Sequence, residues 1–108
     1  MKPGQYVYVR GSQDDEYPWI ALLEDIYEDT GRRRAKIFWM YHQNELPLDC
    51  QLTPYEVVFS NDWQYIALEC IDDIAEVEEL ATHSSGPLGW FWSKEYDIDS
   101  GEIRTLKL

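Results

Sequence analysis

The chain has 108 residues, enough for one domain spanning 1–108 and too few for two. It is 44% hydrophobic and 15% aromatic, which excludes a disordered tail, and no apolar run approaches the ~20 residues that span a bilayer. Nine Lys and Arg against 21 Asp and Glu leave a formal net charge of −12, the wrong sign for a domain that holds nucleic acid through phosphates.

In chain order, Gln5 to Arg10 alternates polar or aromatic with aliphatic residues and predicts a strand. Gly11 to Glu16 is a polar loop. Trp19 to Tyr27 is apolar enough for helix or strand; its aromatic ends and short spacing to neighbouring strands favour a strand with an irregularity near Glu24-Asp25. Glu28-Asp29-Thr30-Gly31 is a turn. It makes an antiparallel hairpin with Arg33–His42, after the basic cluster Arg32-Arg33-Arg34, so Trp19 is expected near Trp39 and Tyr41. In that second strand the period of two divides the side chains. Phe38 and Met40 are expected in the core, and Trp39 and Tyr41 share the opposite face.

Gln43 to Thr53 reads as a connector and Pro54 to Phe59 as a short strand or edge segment. Ser60-Asn61-Asp62 reads as a turn or helix cap. The apolar residues at 71, 74, 77 and 80 are spaced by three, compatible with a short helix, with strand as the alternative. Thr82 to Gly89 is a loop, Trp90 to Tyr96 a strand with its tryptophans expected in the core, Asp97 to Gly101 a turn, and Ile103 to Leu106 a last strand. The expected fold is mostly β, a small twisted β-barrel with short helical segments and loops.

Chemistry is sparse. His42 and His83 stand far apart with no nucleophile or metal pattern around them, Cys50 and Cys70 have no metal or redox spacing, and no Gly-rich phosphate loop is present. Catalytic residues, metal sites and cofactors are therefore not expected. The N-terminus carries no apolar stretch of a secretion signal, so two reduced thiols in an intracellular protein are expected. The positive signal is the aromatic strand. Trp39, Tyr41 and Trp19 could wall a pocket for a methylated ammonium, which is attracted to ring faces; the competing reading is that the tryptophans are core. The acidic surface favours a basic partner.

The order of pieces resembles a bromo-adjacent homology (BAH) domain: Gly4 to Val9, then Tyr17 to Asp29, then Lys36 to His42, then Glu56 to Asp62 and Ile66 to Ile71, with Trp90 to Gly101 like the family's closing strand. One departure is His42-Gln43-Asn44-Glu45, where the family has Arg or His followed by Pro-Glu-Glu. The resemblance implies a non-enzymatic chromatin reader in the nucleus. Trp19, Trp39 and Tyr41 match the methyl-lysine cage, with His42, Glu45, Asn61 and Asp62 as a peptide-binding rim. The implied partner is a methylated histone tail, most resembling readers of the Polycomb-type repressive trimethyl mark on histone-3. Other chromatin-complex proteins are possible partners, and direct DNA binding is not expected. The alternative is a scaffold module that docks a partner protein and reads no mark.

Overall fold

Two apolar faces organise this chain, and both are covered. The computed structural model describes residues 1–11, 18–46, 51–53, 55–79 and 89–106. Its strands are β1 (Tyr6–Val9), β2 (Trp19–Asp29), β3 (Arg32–Tyr41), β4 (Val58–Ala67), β5 (Ile71–Ala75), β6 (Val77–Glu79), β7 (Trp90–Trp92), β8 (Lys94–Tyr96) and β9 (Ile103–Thr105), with 3-10 turns at Gln43–Glu45 and Leu68–Cys70. Seven strands form one sheet in the order β5-β1-β2-β3-β4-β8-β9, and β6 pairs with β7 in a second. The pairing is antiparallel except at β4–β8 and β6–β7. Mostly-β architecture is as expected. The sheet is open: among the described residues no pairing closes it into a barrel.

The β2–β3 hairpin turns on Thr30 and Gly31, both with positive φ (50° and 82°), between the paired Asp29 and Arg32. Two such residues give the turn whose twist matches the strands, and glycine takes that backbone at no steric cost. The expected irregularity near Glu24 is a β-bulge: Leu23 pairs with Ile37, Asp25 with Lys36, and Glu24 is extra. The bulge shifts the inward phase, so Ala21 and Leu23 pack with Val7, Val9, Ala35, Ile37, Ile66 and Ile71, and Ile26 packs on the same cluster. Fully burying each Val, Leu or Ile side chain of this cluster is worth about 1.5–3 kcal/mol.

The other face carries Tyr6, Ile20, Met40, Val57, Ala75 and Trp92. Met40 is buried there as expected, and Phe38 is half-buried with its ring 5.7 Å from that of Phe59. β7 lies across this face. Its two indoles are held by phenols of β1: Trp92 Nε1 donates to Tyr6 Oη at 2.9 Å and Trp90 Nε1 to Tyr8 Oη at 3.0 Å. Trp90 to Tyr96 is thus two short strands, β7 and β8, broken at Ser93.

The region 71–79 forms strands β5 and β6, the alternative to the helical reading. The spacing of three has a structural cause. Val9 pairs with Ile71 but Tyr8 with Asp73, so Asp72 is a bulge, and Ile71 and Ile74 stand opposite Val9 and Val7 on one face. Ser60-Asn61-Asp62, read as a turn or cap, lies inside β4. His83 and Cys50 fall outside the described residues; Cys70 is a free, half-buried thiol.

Candidate functional site

A second bulge builds the site. Phe38 pairs with Trp63 and Met40 with Phe59, so Ser60, Asn61 and Asp62 of β4 face Trp39 alone on β3. The ladder cannot satisfy every backbone group here, and Ser60 supplies the missing bonds. Its buried Oγ donates to the Trp39 carbonyl at 2.6 Å and accepts from the Asp62 N–H at 3.2 Å. That fixes Asp62 beside the end of β3, where its Oδ2 accepts the Tyr41 phenol at 2.8 Å. Burial first, then this bond to a carboxylate, push the Tyr41 phenol above its ordinary range.

Trp39 packs partly against the core cluster of Val9, Ile37 and Ile66, and its Nε1 donates to Gln64 Oε1 at 3.1 Å. The β2–β3 register sets Ala21 opposite Trp39 and Ile20 opposite Met40. This brings Trp19 to within 5.7 Å of Trp39, ring centre to ring centre, with the planes at 84°. The two indoles make a right-angled corner. The 3-10 turn Gln43–Glu45 brings in Glu45, whose Oε1 accepts the His42 N–H at 3.0 Å.

These groups line one pocket of about 480 Å³. Trp19, Trp39 and Tyr41 are on it, as are the carboxylates of Glu45 and Asp62. Val9, Ile66 and Cys70 contribute from the core side, and Arg10 from the end of β1, where it also pairs with Asp72 at 3.2 Å. Trp63, which could have covered the rings, lies elsewhere: it is 51% exposed and packs against Tyr65 and the Lys36 ammonium.

Two residues expected on the rim are not at this pocket. Asn61 points to the other side of the bulge, where its amide donates to Asp97 and accepts the Ile98 N–H, tying down the Asp97–Gly101 turn. His42 is buried at 4% exposure, with its ring 5.2 Å from Trp90 and its Nε2 2.6 Å from the Pro18 carbonyl. Burial outweighs that carbonyl and nearby Glu45 and holds the imidazole below its ordinary pKa, so Nε2–H is the donor of a neutral ring. His42 therefore fastens the residue preceding Trp19 to the end of β3. It also lines a separate pocket of about 420 Å³ with Tyr55, Glu56 and Trp90. Gln64, Arg10 and Cys70 carry no site signal in the sequence; the β3–β4 register, which pairs Gln64 with Ile37, sets Gln64 diagonally beside Trp39.

Among the described residues no group of three or more His, Cys, Asp or Glu side chains could hold a metal ion. No helix is long and apolar enough to cross a membrane, again among the described residues.

The fold is similar to that of a bromo-adjacent homology domain. The crystal structure of the yeast Rsc2 BAH domain matches it with a TM-score of 0.79 over 97% of this chain, at 12% sequence identity. The chain spans 48% of the length of that chain, so the match speaks for this fold and not for the whole of the other molecule. No family model matches the sequence, and no curated protein matches it.

Proposed function

We propose that this chain is a BAH module of a nuclear, chromatin-associated protein, non-enzymatic, that binds a methylated lysine in a basic histone tail. One observation carries the reading: Trp19, Trp39 and Tyr41, from two strands, meet two carboxylates at one pocket. A methylated ammonium keeps its charge but loses hydrogen-bonding capacity, so ring faces compete well with water for it, at ~0.5–2 kcal/mol per ring. The charge of −12 speeds the approach of a basic tail and opposes phosphates, which argues against direct DNA binding. The Polycomb-type repressive mark on histone-3 is the first peptide to try, on resemblance alone.

A scaffold that reads no mark is the second reading. It is favoured by a row of rings outside the pocket: Tyr27 on Tyr65 at 5.6 Å and Tyr65 on Trp63 at 5.3 Å, with Tyr65 and Trp63 exposed. Exposed aromatics of this kind are common at sites where proteins meet.

Calorimetric titration of the repressive-mark histone-3 peptide, with and without methylation, tests the first reading. Methylated peptide should bind, and Trp19→Ala should weaken it at least tenfold while circular dichroism stays unchanged. An absence of binding by histone-tail peptides methylated at any lysine, or equal binding by a folded Trp19→Ala variant, would overturn it in favour of the scaffold.

A further inference from the structure

The 3-10 turn after β3 serves two pockets. Glu45 lines the aromatic corner, while His42 lines the second pocket, of about 420 Å³, which neither proposed role uses. The walls of the second pocket are rings. Tyr55 stands 5.8 Å from Trp90 with the planes at 64°, and His42 stands 5.2 Å from Trp90 at 77°. The Trp90 N–H is already given to Tyr8, so a ligand meets the carbon surface of the indole. Tyr55 is 44% exposed, and its φ of 67° is one that a bulky side chain seldom adopts. Its neighbours impose that backbone. The Tyr55 carbonyl accepts the Phe91 N–H at 3.0 Å, and the Val57 N–H donates to the Phe91 carbonyl at 2.9 Å. Strain that is held in place by its surroundings concentrates at ligand sites.

This pocket has no charge to offer. Glu56, 6% exposed, is its one acid among the described residues. Oε2 of Glu56 is paired with the Lys94 ammonium, and Oε1 accepts the N–H and the hydroxyl of Thr53 at 2.9 and 3.2 Å. A cation seated here would lose water and gain no unpaired carboxylate, and an anion would face Glu56. An uncharged, apolar group fits. Proline is favoured on two counts: its ring loses no side-chain entropy on burial, and a polyproline II segment leaves its backbone carbonyls unbonded. The Tyr55 phenol takes no partner among the described residues and can donate to one of those carbonyls. Aromatic-lined surfaces of this composition suit such segments. The net charge of −12 favours lysine or arginine beside the prolines.

We propose that the Tyr55–Trp90 pocket docks a proline-rich segment of a partner protein, with basic residues flanking the prolines. This site is independent of the methyl-lysine pocket. The probe is a blocked oligoproline peptide with lysine flanks, titrated into the whole chain beside a glycine-serine peptide with the same flanks. Nuclear magnetic resonance reads the indole N–H signals. The Trp90 signal should shift saturably with the proline peptide and not with the control, and the Trp39 signal should stay in place. Tyr55→Gly removes one ring and suits the positive φ, so it should fold and bind the proline peptide about tenfold more weakly. The wild-type comparison stands as a test even if that variant does not fold. No shift at Trp90, an equal shift with the control, or undiminished binding by folded Tyr55→Gly overturns the proposal. A shift at Trp39 in place of Trp90 overturns it too, because the peptide has then entered the other pocket. Titration of methylated peptides decides the methyl-lysine reading separately.

Discussion

Removing one buried oxygen, in Tyr6→Phe, should unfasten the closing strand from the sheet. The Tyr6 phenol accepts from Trp92 Nε1 and donates to Glu79 Oε1, both at 2.9 Å. Tyr6 and Trp92 are both buried, so phenylalanine fills nearly the same space but orphans the indole N–H. An unsatisfied buried donor costs about 1–3 kcal/mol, whereas exposed Glu79 is rehydrated at small cost. A loss of about 2 kcal/mol is expected, or roughly 8 °C in Tm for a domain of this size. Trp92→Phe alone removes the donor and leaves a smaller ring; because Tyr6→Phe then orphans nothing, the double variant should lose about 1 kcal/mol less than the sum. Urea denaturation of the four proteins measures this coupling. Additivity within about 0.3 kcal/mol, the usual error for independent sites, would refute the claim that this bond holds β7.

Three other outcomes follow from the same geometry. Burial raises the Tyr6 phenol above its ordinary value near 10, so the folded state keeps a proton that the unfolded chain loses; stability should fall as pH rises past 10, and less steeply in Tyr6→Phe, by alkaline urea titration. His42 has the opposite sense: its lowered value means the unfolded chain takes the proton first, so this contribution is whole above pH ~6.5 and is lost as pH falls through the folded value. Urea midpoints at pH 7 and 5.5 should differ in the wild type and converge in His42→Gln. Ser60→Ala removes the bonds of Ser60 Oγ to the Trp39 carbonyl and the Asp62 N–H at the bulge; it should destabilise by about 1–3 kcal/mol and weaken peptide binding, and a neutral result in both assays would remove Ser60 from the site.

The strands whose side chains obey a strict period of two are legible in the sequence: β1, the hairpin turn, and β3 with Met40 on one face and Trp39 on the other. Of the three bulges, the one at Glu24 is legible, and the two at Asp72 and Ser60–Asp62 are not. At Asp72 a bulge makes a spacing of three serve one face of a strand, and it imitates a helix. At Ser60–Asp62 three polar residues inside β4 look like the end of an element. The candidate site divides along the same line. Trp19, Trp39, Tyr41, Glu45 and Asp62 converge, whereas His42 and Asn61, which the family resemblance places on the same rim, do not line this pocket. Adjacent residues in a strand point to opposite faces, so His42, next to Tyr41, and Asn61, next to Asp62, leave the pocket for the other side. His42 gains another role there, since its bond to Pro18 and its contact with Trp90 link the closing strand to the start of β2.

The two indoles of the corner are held to very different degrees, and this separates stability from recognition. Trp39 is half-buried, packs on the core cluster, and has its Nε1 and its carbonyl oxygen bonded within the sheet. Trp19 is 39% exposed at the first position of β2, and its ring contact is with Trp39. Folding therefore sets one wall, and the second wall rests against it; a preorganised wall spares a ligand the cost of ordering it. Truncating a buried Trp to Ala costs about 3–5 kcal/mol, so half-buried Trp39→Ala should lose about 2 kcal/mol, and Trp19→Ala less than about 1 kcal/mol. Both should lose peptide affinity. Urea denaturation beside peptide titration tests the contrast. Equal destabilisation by the two variants would show that Trp39 is no more anchored than Trp19, and that the right angle between the rings is not set by the core.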